Sequence, residues 1–369
     1  MATISDFQAP TVLQTPDRTA TAGTVSRMEC RVLICDETPQ WASIPHRQSA
    51  AGNLDIFAAE IMFQIFSYLD IAALINFRRA NYATFERASA WLPFQMLITH
   101  ASDTLRAIET IGSLKFVNAL ELFKVMKTQR CTFCGSTGPF LFIPLLKRSC
   151  WKCIESFKVF KVSTIKRCYG LSDPDFVNVP TFRTCPGKYG IPLRNYNVIQ
   201  HLISGKAAEE ARLSADNYDL QLVEHRRALV MASFEENLAR WRARTNGHTQ
   251  ALGSMLAPRS HQPLTWRQRF SEGTTQYNYL VTTTLPFVDL PNRIVQRHRY
   301  CNGCIYERWI FKTQTRYKMT DEDLVKQMER ETLFKASEAR LAQEFVNHFF
   351  RCRWVTRYLS RGNNRCGLL

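Results

Sequence analysis

Two Cys-x-x-Cys knuckles, Cys131/Cys134 and Cys150/Cys153, stand fifteen residues apart in the chain. Two residues between paired cysteines let both sulfurs face one ion, and a loop of this length returns the second knuckle to the first. The spacing predicts a closed, tetrahedral four-thiolate site for zinc. A pair of disulfides and four unrelated buried thiols are the competing readings. With all four positions filled by protein, no place is left for an exchangeable water, so the expected role is structural. Gly135 and Gly138 follow the first knuckle, where thiolate-bound turns need small residues. Between the knuckles the apolar run Phe140 to Leu146, ending in Lys147 and Arg148, predicts a strand or buried turn folded over the site. Trp151, inside the second knuckle, is placed to shield one side of it.

Redox context favours metal over disulfides. Met1 to Arg27 has no basic segment followed by an apolar core, and no stretch approaches the ~20 apolar residues of a membrane span. The expectation is a reducing compartment, nucleus or cytoplasm, with no membrane partner, where thiols stay free or bind metal.

A second site is predicted farther along. Cys301 and Cys304 form another knuckle, and His348 and Cys352 lie four residues apart in a segment, Asp321 to Leu359, that reads as one long helix. That spacing puts both side chains on one helical face, one turn apart, and completes a three-Cys, one-His tetrahedron. Cys168, Cys185 and His298 are alternative ligands. A partly buried helix histidine and a core thiol are the plain readings of His348 and Cys352.

The rest of the chain organises around these sites. Residues 1–50 are rich in Thr, Pro and Gln and read as disordered, with Cys30 and Cys35 incidental. Residues 51–111 read as a compact helical block, because apolar residues recur at spacings of three and four from Ile61 onward, and Asp70 is placed as a helix N-cap. Residues 112–369 read as a cysteine-rich, zinc-stabilised domain of mixed structure with a helical insertion at about 207–245. In that insertion Leu213, Leu220, Val223, Leu229, Phe234, Leu238 and Trp241 form one face and charged residues the other. The plain reading is a solvated amphipathic helix or hairpin; the sharper one is a partner-docking helix. Gly247 to Gln262 reads as a polar linker. The fold class expected is mainly α: a helical block followed by a mixed, metal-stabilised region with long helices.

Three phrases in the helical block, Leu54-Asp55-Ile56-Phe57-Ala58-Ala59-Glu60-Ile61, Gln64-Ile65-Phe66-Ser67-Tyr68-Leu69-Asp70-Ile71 and Leu74-Ile75-Asn76-Phe77-Arg78, together resemble an F-box. Glu60, Ile61, Ile65, Leu69, Asp70 and Leu74 fall on matching positions. The departure is Ala58, where the family usually has proline, with Phe57 in place of the preceding leucine. Proline pre-sets the dihedral of a first helical turn. F-box-like segments ahead of a cysteine-rich body recur among fungal proteins. Cys131-Thr132-Phe133-Cys134-Gly135, Arg148-Ser149-Cys150-Trp151-Lys152-Cys153, Tyr189-Gly190 after Pro186-Gly187, Cys301-Asn302-Gly303-Cys304 and His348-Phe349-Phe350-Arg351-Cys352 are similar to that group. The resemblance implies an adaptor that docks the Skp subunit of a cullin–RING ubiquitin ligase and presents a protein substrate. Leu54, Phe57, Ile61, Ile65 and Leu69 are the anchors it implies.

Other classes fare less well. Gly-x-x-x-x-Gly-Lys, Gly-x-Gly-x-x-Gly and Gly-x-Ser-x-Gly motifs are absent, and Cys301-Asn302-Gly303-Cys304 does not follow a βαβ pattern as a redox dithiol would. No catalytic residue is assigned. A net charge of +16 leaves nucleic acid as the alternative partner. Arg240, Trp241, Arg242 and Arg244, then Arg293, Arg297, His298 and Arg299, then Arg351, Arg353, Arg357 and Arg361 are the basic stretches. Trp309, Trp354 and Tyr358 lie among them to stack on bases.

Overall fold

A computed structural model of the chain describes residues 25–26, 52–189, 194–245, 275–298, 300–311, 319–337, 340 and 342–354. The segment 1–50, apart from 25–26, and the linker 247–262 lie outside them, as do Arg299, Arg357, Tyr358 and Arg361.

The architecture is mainly α with small sheets. Six helices form the N-terminal bundle: α1 (Ala59–Tyr68), α2 (Ile71–Ala80), α3 (Tyr82–Ala90), α4 (Leu92–His100), α5 (Ser102–Thr110) and α6 (Ala119–Met126). Their ends are set by local hydrogen bonds. Asp70 accepts from the Ala73 amide at 2.7 Å, as its position predicts, and Asn81 and Thr84 cap α3 reciprocally. Asn118 caps α6 through Oδ1, and its amide donates to the carbonyls of Ser67 and Leu69 at 2.8 and 3.0 Å. The last turn of α1 is thereby tied to the start of α6. Met62 and Phe66, four apart on α1, are buried, with Phe66 against Phe77 and Trp91 at 5.1 and 5.9 Å between ring centres.

The bundle runs past residue 111 to Met126 and shares its core with the strands beyond it. Strand β1 (Phe140–Phe142) lies between β2 (Lys147–Ser149) and β6 (Thr282–Thr284), antiparallel to both, with Phe140 facing Ser149 and Thr284. A second sheet orders β3 (Val159–Lys161), β5 (His201–Ser204) and β4 (Thr181–Arg183) with β5 central. Phe140, Phe142, Trp151, Ile154, Val159, Phe182, Leu202 and Val281 belong to the same buried cluster as Phe66, Leu97, Leu105 and Met126. The Thr104 hydroxyl donates to the Thr284 carbonyl at 2.8 Å, so α5 closes onto the edge of the first sheet. Helical block and cysteine-rich region therefore meet through one hydrophobic interior.

Arg148 sits at that junction with no solvent exposure. Its guanidinium donates to Gly138 O at 2.7 Å, Leu285 O at 2.9 Å, Pro286 O at 2.6 Å and Val125 O at 3.3 Å. Backbone carbonyls from three segments thus satisfy a buried cation, as its desolvation demands.

The inserted helices are α9 (Gly205–Ser214) and α10 (Leu220–Thr245). Near its start α10 buries Val223, and Arg226 pairs with Asp216 at 2.6 Å and donates to Gly170 O at 3.1 Å. Gly170 ends α8 (Val162–Tyr169) with φ of 65°, and a Cβ there would lie 2.9 Å from Val230, which is why glycine stands at that contact. Farther along α10, Phe234, Leu238 and Trp241 are half-buried and Leu222 and Leu229 exposed. In the C-terminal part α11 (Asn302–Ile310) comes first, and α12 (Glu322–Ser337) and α13 (Ala342–Arg351) then stand where a single long helix was expected after Asp321.

Candidate metal centres and an exposed helical face

The first knuckle is a tight turn stabilised by its own backbone. The Cys131 amide donates to Ser136 O at 2.6 Å and the Gly135 amide to Cys131 O at 3.0 Å, with Gly135 at φ 73°. This left-handed turn aims the Cys131 and Cys134 side chains the same way. Gly138 passes so close behind that an added Cβ would lie 2.8 Å from Arg148 and 2.9 Å from the Cys131 nitrogen. The run between the knuckles folds as the β1–β2 hairpin, turned by Leu146 at φ 48°. That hairpin delivers Cys150 to the first knuckle, and the Thr132 amide donates to Arg148 O at 3.0 Å to lock the two together. Trp151 opens the short helix α7 (Trp151–Ile154) and turns into the core, stacked on Tyr279 at 4.6 Å.

All four sulfurs of Cys131, Cys134, Cys150 and Cys153 lie within 4.8 Å of one another. Cys134 and Cys150 are 3.5 Å apart, and all four cysteines are free thiols. A tetrahedral ion with bonds of about 2.3 Å to sulfur has edges of about 3.8 Å between ligand atoms, whereas a disulfide brings sulfurs to about 2.05 Å. The donor set fits a metal ion. Its charges also ask for one: the Ser136 hydroxyl, 2.7 Å from Cys134 Sγ, lowers that thiol to about 6, whereas burial pushes Cys150 and Cys153 up. Crowded thiols resist ionising together, and a bound cation removes that penalty.

The second set assembles from the α11 start and the end of α13. Cys301, Cys304, His348 and Cys352 place one ligand atom each within 4.8 Å of the others. Cys301 to Cys352 is 3.7 Å, Cys304 to Cys352 3.8 Å and Cys304 to His348 Nε2 3.3 Å. The edges of a tetrahedron with mixed sulfur and nitrogen ligands are about 3.6 to 3.8 Å. His348 lies in the last turn of α13 and Cys352 just beyond its end, so the four-residue spacing still brings both to one side. Contacts with Cys301 and Cys352 raise His348 to about 9, and contacts with Cys301 and Cys304 push Cys352 down. Val25–Ser26 pairs antiparallel with Tyr300–Cys301, which adds a strand beside this centre.

These two groups are the ones among the described residues whose side chains converge closely enough to hold a metal ion. The alternative ligands lie elsewhere. Cys168 is buried on α8, and Cys185 donates to Thr110 O at 3.8 Å. His298 is half-buried, with its Nε2 enclosed and without a hydrogen-bond partner.

A third feature lies on α1. Beside its buried Met62 and Phe66, the helix exposes Ile61 (46%), Ile65 (39%) and Tyr68 (80%), and the turn before it exposes Ile56 (79%) and Phe57 (39%). Spacings of four and three put Ile61, Ile65 and Tyr68 on one face. Three of the five expected anchors, Phe57, Ile61 and Ile65, lie on this surface. Leu54 is half-buried, and Leu69 packs against the core. Ile56 and Tyr68 join the surface without having been expected there; the position of Tyr68 seven residues after Ile61 was the available signal.

Among the described residues no helix is long and apolar enough to cross a membrane. No protein-family model, curated protein or solved structure matches the chain.

Proposed function

We propose that the chain is a non-catalytic F-box-type adaptor whose α1 face docks the Skp subunit of a cullin–RING ubiquitin ligase. Its body, held by two structural zinc ions, would present a protein substrate. The observation that carries this reading is the surface of Ile56, Phe57, Ile61, Ile65 and Tyr68 on a helix whose other side is locked in the core. Contiguous large apolar side chains on a firmly seated helix suit a partner groove, each contributing about 1 to 2 kcal/mol when covered. Zinc suits the donors because closed, thiolate-rich tetrahedral sites select it.

Nucleic acid draws less support. The +16 charge motivates it, but Arg240 pairs with Glu236 at 3.3 Å, Arg297 with Asp103 at 3.5 Å, and Arg353 lies over the Trp354 ring.

The test is co-elution of the purified full chain with the Skp adaptor, beside an Ile61→Asp, Ile65→Asp variant. Both positions are exposed, so the variant should keep its fold. Binding by the native chain alone is the expected result. Failure of both to bind removes the adaptor reading, and a steep loss of DNA or RNA binding with salt would then favour the nucleic-acid one.

A further inference from the structure

The apolar face begins on the 3-10 turn Gly52–Ile56, which has no buried residue of its own. Its passage into α1 is weakly specified too, because Ala58 is the N-cap and makes no side-chain hydrogen bond. Apart from the Phe57 amide's bond to Leu54 O at 3.3 Å, little within the segment itself fixes where Ile56 and Phe57 point.

One side chain from a distant helix does. Arg87, in the last turn of α3, donates from Nη1 to the Leu54 carbonyl at 2.7 Å and from Nη2 to Asp55 Oδ1 at 2.6 Å. The planar fork grips two successive residues, one by backbone and one by carboxylate, which fixes the orientation of the turn as well as its position. A lysine ammonium supplies a point charge without that geometry. Arg87 and Asp55 side chains are 29% and 41% exposed, so solvent screens the pair and its loss should cost the global fold little.

We propose that Arg87 is a positioning residue. It holds the Leu54–Phe57 turn so that Ile56 and Phe57 stand ready beside Ile61, Ile65 and Tyr68 for an apolar protein partner. The proposal rests on the adaptor reading and deepens it: a pre-ordered surface binds without the ordering cost that a loose one incurs on association.

The experiment has two arms. In the partner-free chain, hydrogen exchange is followed at 52–57, including the Phe57 amide that donates to Leu54 O. Arg87→Ala should speed exchange there by about tenfold or more, with metal content and thermal midpoint unchanged. In the second arm, Arg87→Ala should weaken affinity for the purified Skp adaptor by about tenfold, with Arg87→Lys intermediate. Asp55→Asn should lose less, since the bond to Leu54 remains, and it serves as the second variant should Arg87→Ala misfold. Unchanged exchange at 52–57 overturns the clamp. A loosened turn with native affinity overturns its role in docking. If the native chain does not bind the adaptor, the partner half of the proposal falls with that reading, and the exchange arm alone decides whether Arg87 orders the turn.

Discussion

The two candidate metal centres share a ligand geometry and differ in their surroundings. In the first, Cys134 and Cys150 are sixteen residues apart, and in the second Cys304 and His348 are forty-four apart. Loop-closure entropy separates those spans by only about 1 kcal/mol, so chain length is not the main distinction. Packing is. The first centre sits on the hairpin whose Phe140, Leu141 and Phe142 are core, and Cys150 leads directly into buried Trp151 and Ile154. The second ties α11 to the end of α13, and no described residue after Val295 belongs to the principal core cluster. A metal bound by the same chemistry would thus act as a keystone in one place and as a clamp on a terminal segment in the other.

That contrast predicts unequal damage. Cys150→Ser should have the largest effect. A structural zinc contributes on the order of 10 kcal/mol, comparable to the whole stability of a domain, and here its loss would also loosen the hairpin and the Arg148 contacts beside it. Soluble yield, near-ultraviolet circular dichroism and metal content should all fall. A Cys150→Ser protein that folds normally and retains two metal ions per chain would remove the first centre.

His348→Ala should do less. Metal content should drop by about one ion per chain, and proteolysis should increase within α12 and α13, while the bundle and both sheets keep their cooperative transition. If this variant unfolds as completely as Cys150→Ser, the division into keystone and clamp is wrong. An unchanged metal ratio would remove His348 from the ligand set.

The convergence of the two four-residue groups was legible because a tetrahedral thiolate site imposes short, local spacings that survive any tertiary arrangement. The helical block was legible by periodicity, and the Asp70 cap by residue type. What could not be read was long-range. Nothing in Phe140–Phe142 announces a partner at Thr282–Thr284, yet that pairing joins the helical block and the cysteine-rich region through one core. Arg148 looked like the polar end of an apolar run; its burial depends on carbonyls from Val125, Leu285 and Pro286 that only the fold brings together. The break between α12 and α13 was invisible as well, since no Pro or Gly lies between Glu322 and Arg351. Arg340, only 6% exposed, sits in that interruption, a sign that packing overrides helix propensity there.

The smallest expected effect concerns the place where the two regions touch. Arg148 lies two residues before Cys150 and His298 three before Cys301, and the two side chains interact. Burial and, second to it, the Arg148 charge lower His298 to about 3 from an ordinary value of 6.5. The folded state therefore keeps this imidazole neutral, whereas the unfolded chain takes up a proton below pH 6.5. The stabilisation is fully present above that pH and is lost as pH falls from 6.5 towards 3. Because the residue is only half-buried, the contribution is on the order of 1 to 2 kcal/mol. His298→Gln should reduce the acid-side slope of stability between pH 6.5 and 5, measured by urea unfolding with metal content followed in parallel. Thiolate ligands also take up protons in acid, so both proteins must hold the same metal across the range for the difference to belong to His298. An identical slope in the two would mean that the imidazole is solvated, and that the lead-in segments of the two centres do not enclose one another.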